Sequence, residues 1–192
     1  ELHLELKAMS RQATEKLLLS LPRLTKCVLW CCEASTQTEA SPVRDKPIAS
    51  FRYLEDLTLN APVDDGLLSA FEFPVLGSLA LREHARVSRL EQVLARAPKL
   101  AKLRLSGDMR FSAPLIAPIP LQVFELSSCA SFSDGDLKLL LESAPNLRLI
   151  QIYSGCKLTA PSLISLASTC ALPHLARIRC DTYEGKLSSS DL

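Results

Sequence analysis

The sequence predicts an α/β solenoid: a right-handed β-α superhelix with a parallel sheet on its concave face and helices or loops on its convex side. Three observations predict it. A phrase of one leucine, two residues, an apolar residue, one residue and another apolar residue recurs along the chain. Between phrases the apolar residues change from a period of two to the helical period of about 3.6. Prolines stand at the joints between units, in a chain with twelve prolines and only six glycines. Units of this kind bury their apolar faces only against their neighbours.

The elements follow in order. Leu2-His3-Leu4-Glu5-Leu6 reads as a first strand, and Leu17, Leu18 and Leu21 as a first helix. The phrase Leu24/Cys27/Leu29 is followed by the polar, Ser- and Thr-rich stretch 33–50, which is expected to replace a helix with a loop. Leu54/Leu57/Leu59 precedes a short helical pattern at Leu67, Ala70 and Phe71. After Leu76/Leu79/Leu81, a helix carries Leu90, Val93, Leu94 and Ala97 on one face, with Ser88 and Glu91 read as its capping pair. Leu100/Leu103/Leu105 leads into 106–120, where Pro114, Pro118 and Pro120 make a regular helix improbable. Leu121/Phe124/Leu126 is followed by Cys129 and a helix from Ser133 with Leu137, Leu140, Leu141 and Ala144 inward, capped by Ser133 and Asp136. Leu147/Ile150/Ile152 is followed by Cys156 and a helix from Thr159 with Leu163, Leu166, Ala167 and Cys170 inward. Pro145-Asn146-Leu147 and Pro173-His174-Leu175 close these two units, and Leu175/Ile178/Cys180 ends the series. Pro98 and Pro145 mark helix ends, since proline pushes the preceding residue out of the α region.

The leading leucines from Leu24 to Leu175 are 30, 22, 24, 21, 26 and 28 residues apart. That spacing falls within or just beyond the roughly 20–29 of leucine-rich repeats. The 192 residues allow one domain with a substantial core. With 47% hydrophobic but only 5% aromatic residues, aliphatic side chains must fill it. A net charge of +1 argues against a general polyanion binder, so no direct nucleic-acid partner is expected. No apolar run approaches the roughly 18 residues of a membrane span, so no membrane partner is expected either. Leu17-Leu18-Leu19, flanked by Lys16 and Arg23, belongs to a helix rather than a signal peptide. Seven cysteines, mostly at core or strand-edge positions, suit free thiols in a reducing compartment, cytoplasmic or nuclear. The chain opens at Glu1 already in a strand pattern. It reads as one repeat domain over 1–192, a fragment of a longer chain.

Leu126-Ser127-Ser128-Cys129 with Phe132-Ser133-Asp134 resembles the cysteine-containing subclass of leucine-rich repeats. Ile152-Tyr153-Ser154-Gly155-Cys156 with Leu158-Thr159 resembles it equally. In that subclass the cysteine replaces an asparagine that bonds turn backbone, and it packs between units. The subclass is best known from F-box proteins, the substrate-recognition subunits of cullin-RING ubiquitin ligases. The resemblance implies a horseshoe whose concave face holds a protein target, while a separate N-terminal F-box binds the ligase adaptor. No F-box is recognisable in this chain. Similar repeats occur in ribonuclease-inhibitor-like proteins and in structural subunits of large complexes, so a scaffold subunit of a stable protein or ribonucleoprotein assembly is the alternative.

No converging catalytic set is legible, so neither an enzyme nor a cofactor is expected. His3, His84 and His174 have no metal spacing, and His84 and His174 read as turn residues. Cys27, Cys31 and Cys32 form one metal-like cluster, but no second cluster completes a zinc site. Function is instead expected on the concave strand face, because alternate strand residues point away from the core. The outward candidates are Trp30, Arg82, Lys102, Arg104, Gln151, Tyr153, Arg177 and Arg179. Trp, Tyr and Arg combine large contact area with directed polar groups and are enriched at binding hot spots. The five cations suggest an acidic or phosphorylated target segment, although Asp56, Glu125 and Asp181 interrupt them.

Overall fold

A computed structural model describes residues 1–34, 46–61, 63–83, 85–158, 160–170, 172–182 and 185–186. Its organising element is a nine-stranded sheet in a mixed α/β arrangement. Eight strands run parallel in chain order: β1 (Leu2–Met9), β2 (Lys26–Ala34), β3 (Asp56–Asn60), β4 (Ser78–Leu81), β5 (Lys102–Ser106), β6 (Val123–Ser127), β7 (Leu149–Ile152) and β8 (Arg177–Thr182). The two-residue strand Gly185–Lys186 pairs antiparallel with β8 at the far edge.

The register sets phrase against phrase. Cys27 pairs with Leu57, Leu57 with Leu79, Leu79 with Leu103, Leu103 with Phe124, Phe124 with Ile150, and Ile150 with Ile178. Three columns of side chains therefore run across the sheet on one face. The leading leucines from Leu54 to Leu147 are fully buried, as are the inward residues of β3 to β7. A backbone ladder repeats at each joint: the amides of Glu55, Gly77, Ala101, Gln122, Arg148 and Ala176 donate to the carbonyls of Thr25, Glu55, Gly77, Ala101, Gln122 and Arg148 at 2.8–2.9 Å. Each unit thus registers the next before its strand begins.

Among the described residues five helices cover the buried face: α1 (Arg11–Leu19), α2 (Asp65–Leu68), α3 (Leu90–Ala95), α4 (Asp134–Ser143) and α5 (Ala160–Thr169). Ser10 caps α1 by accepting from Ala13 N–H. The capping box expected at Ser133 and Asp136 is present on α4. Leu18, Leu90, Leu94, Leu137, Leu140, Leu141 and Leu163 are buried against the strand columns. Beyond the end of β5 at Ser106, only the two-residue strand Asp108–Met109 occurs before Pro120, in keeping with the prolines of that segment.

Three local expectations need correction. The pattern at Leu67, Ala70 and Phe71 is not one helix: α2 ends at Leu68, and Phe71 enters the strand Phe71–Glu72, paired with Ala49–Ser50. Phe51, Phe71 and Phe73 gather there, with ring centroids 5.1–6.3 Å apart. The expected loop 33–50 is strand at both ends, in β2 and in Ala49–Ser50; residues 35–45 lie outside the described residues. Ser88 and Glu91 do not form a capping pair, since Arg89 is the N-cap of α3 and has no side-chain cap bond.

Ser88 and Glu91 instead tie adjacent units together. Asp65 accepts from Ser88 N–H, Ser88 Oγ–H and Arg89 N–H. Glu91 accepts from Ser112 N–H and Oγ–H. Asp136 accepts from Phe111 N–H at 2.7 Å in addition to its capping bonds. Among the described residues no helix is long and apolar enough to cross a membrane.

Candidate binding face

The outward residues of the parallel strands form the opposite, open face of the sheet. Most are half-buried, and β3, β6 and β7 alternate strictly between half-buried and buried. Ala80 and Ser106 are the outward residues that are buried. Pairing aligns Val28, Thr58, Ala80, Arg104, Glu125, Gln151 and Arg179 in a middle row. Trp30 and Asn60 begin a second row at the C-terminal ends of the strands, continued through Ser106 and Ser127. Arg82 and Tyr153 extend this row just past β4 and β7, with their amides donating to Leu59 and Leu126 carbonyls.

The large side chains interact across this face. Trp30 is 37% exposed. The Arg82 guanidinium lies 5.8 Å from the Trp30 ring centroid, across the intervening Asn60. At the other end Arg179 lies 6.0 Å from the Tyr153 ring and bonds Asp181 at 2.8 Å. Between them Glu125 is shared by two cations: Lys102 Nζ at 3.6 Å and Arg104 Nε at 2.7 Å. The Arg104 contact is a close ion pair, although its Nε–H is not aligned as a hydrogen bond. The Arg82 Nε and Asn60 Oδ1 atoms are buried without a hydrogen-bond partner among the described residues.

An open recess of about 380 Å³ lies at the C-terminal ends of β4 to β7. Its polar lining is Arg82, Arg104, Ser106, Glu125, Ser127 and Tyr153. Gly107 fits the chain beneath it at a φ of +115°, and an added Cβ would lie 2.7 Å from the Ala85 carbonyl oxygen. Only glycine takes that conformation with so close a backbone neighbour.

Compared with protein families, with curated proteins and with solved structures, the chain shows no match.

The structure brings Trp30, Arg82, Arg104 and Tyr153 to one end of the strands and sets Lys102 beside Glu125. Gln151 lies in register between Glu125 and Arg179, while Arg177 is exposed beside Leu149. The five expected cations are therefore not a uniform basic field. Glu125 engages two of them, Asp181 engages Arg179, and among the described residues no carboxylate pairs with Arg82. Asn60, Ser106 and Ser127 join the site beside Glu125, which the sequence marks only as an interruption of the cations. Their signal was the register, which puts Glu125 directly beside Arg104.

The cysteines lie mainly on the core side. Cys27 is fully buried in the strand column, and burial pushes its thiol up to about 11. Cys129 is buried and pushed up to about 12, mainly by desolvation; backbone bonds from Gly107 and Ser127 partly offset this. Cys156 faces the Cys129 backbone, and its pKa is also raised, again mainly by burial. The Cys31 and Cys32 side chains, and His84, lie outside the described residues. His174 is exposed at its turn, and His3 is exposed on the first strand. No group of three His, Cys, Asp or Glu residues among those described could hold a metal ion.

Proposed function

We propose that the chain is a leucine-rich-repeat solenoid of the cysteine-containing subclass, and that its open strand face holds a protein target without catalysis. The reading is of the target-recognition part of an F-box-type ubiquitin-ligase subunit, working in a reducing intracellular compartment. One observation carries it. Trp30, Arg82, Arg104 and Tyr153, of the residue types that dominate binding energy, gather on the half-exposed face of a sheet whose other face is buried. The repeated backbone ladder and the in-register phrases support the solenoid. Cys129 and Cys156, on consecutive units, support the subclass.

The test is affinity purification of the full-length protein from its own cells, read by mass spectrometry. Recovery of a cullin adaptor together with salt-labile further proteins is expected. A fixed, salt-resistant set of subunits without that adaptor would replace this reading with the scaffold reading.

A further inference from the structure

We infer that the recess at the ends of β4 to β7 is a carboxylate site, which takes an acidic side chain of a bound protein segment. The inference rests on the target-recognition reading and deepens it. Its first support is the lining. Arg82, Arg104, Ser106, Ser127 and Tyr153 can all donate hydrogen bonds, and Glu125 is the one polar side chain that can only accept. A recess of about 380 Å³ has room for a whole acidic residue rather than a bare ion.

The second support is unmet bonding. The Arg82 Nε atom is buried and donates to no group among the described residues, whereas Arg104 Nε already lies 2.7 Å from Glu125 Oε2. A buried donor without an acceptor is costly, and hydrogen bonds from a charged donor are among the strongest available. An oxyanion in the recess meets both guanidinium groups, since Arg82 and Arg104 both line it. The planar fork of arginine matches a carboxylate at two points.

Charge selects among oxyanions. Two guanidinium groups against the Glu125 carboxylate leave the lining with one net positive charge. A side-chain carboxylate neutralises it. A phosphomonoester, at about −1.5 to −2, would leave excess negative charge beside Glu125.

Arg82 also supplies the readout. Its guanidinium lies against Trp30, the only tryptophan, so its engagement changes the protein's tryptophan emission. The full chain is titrated with blocked Gly-Gly-Glu-Gly-Gly and with its glutamine and phosphoserine counterparts. Trp30 emission and the Nε–H signals of Arg82 and Arg104 are followed by fluorescence and ¹⁵N NMR. The glutamate peptide is expected to shift all three signals saturably, with the glutamine peptide at least about tenfold weaker. Arg82→Gln is expected to abolish the response.

Glu125→Gln covers the case in which Arg82→Gln fails to fold. It raises the lining charge and frees Arg104, so it should tighten glutamate binding and improve phosphoserine binding even more. Equal response to glutamate and glutamine, tighter binding of phosphoserine by the wild type, or unchanged affinity in Glu125→Gln would each overturn the carboxylate assignment. A target still held through Trp30 after such a failure would leave the recognition reading intact and remove only the recess.

Discussion

Replacing Asp136 with alanine separates what caps a helix from what joins two units. Oδ2 of this nearly buried carboxylate accepts from Ser133 N–H at 2.8 Å and from its hydroxyl at 2.5 Å. Oδ1 accepts from Phe111 N–H, on the segment before β6, at 2.7 Å. Ser133→Ala removes one arm of the capping box and leaves the Phe111 bond in place; its cost is about 1 kcal/mol. Asp136→Ala removes the other arm and also leaves the part-buried Phe111 N–H without an acceptor, a loss of about 1–3 kcal/mol in itself. The expected losses are therefore about 1 kcal/mol for Ser133→Ala and about 3 kcal/mol for Asp136→Ala. Urea denaturation followed by circular dichroism measures both, provided the slopes with denaturant agree. Equal losses, to within about 0.5 kcal/mol, would refute the argument by showing that the bond to Phe111 adds nothing beyond the cap.

Other consequences follow from the same geometry. Gly107→Ala forces an L side chain to a φ of +115° against the Ala85 carbonyl; thermal melting should show at least the roughly 1–3 kcal/mol of backbone strain. Leu103→Ala, at a fully buried position of β5, should cost about 2–5 kcal/mol in the same assay, whereas Gln151→Ala on the open face should stay within about 0.5 kcal/mol. At pH 8, alkylation mapped by mass spectrometry should spare Cys27 and Cys129 and, among the described cysteines, reach half-buried Cys170 first. The Cys129 thiol has a folded pKa of about 12, above its ordinary value of 9.0, so the folded state keeps a proton that the unfolded chain releases. Its contribution is fully present below pH 9.0 and is lost as pH rises toward 12, so the wild type should lose stability faster than Cys129→Ala over that window.

The strand phrases were legible because each answers to two constraints at once. Leu54, Leu57 and Leu59 all point into the core, and the same three positions recur in the neighbouring units on either side. Local spacing failed where a distant partner overrode it. Ser88 and Glu91 have capping-box spacing, but Ser88 is held by Asp65 from 23 residues earlier, and Glu91 is engaged by Ser112. Phe71 continues a helical pattern in sequence and yet joins the Phe51 cluster by pairing with Ala49–Ser50. At the candidate site single outward slots were readable from alternation. The sharing of Glu125 needed the register, and the reach of Arg82 to Trp30 needed side-chain geometry over the intervening Asn60. The recess joins four strands and had no local signature.

The central claim is that the open strand face, rather than the helix side, holds the partner. The most direct measurement compares the proteins recovered from native cells with four full-length baits: wild type, Trp30→Ala, Arg104→Ala, and Lys138→Ala on exposed α4. Their melting temperatures are measured alongside. Partners retained by the wild type and Lys138→Ala, but lost from Trp30→Ala and Arg104→Ala at unchanged stability, are the predicted result. The same partners on all four baits, or their loss from Lys138→Ala alone, would contradict it.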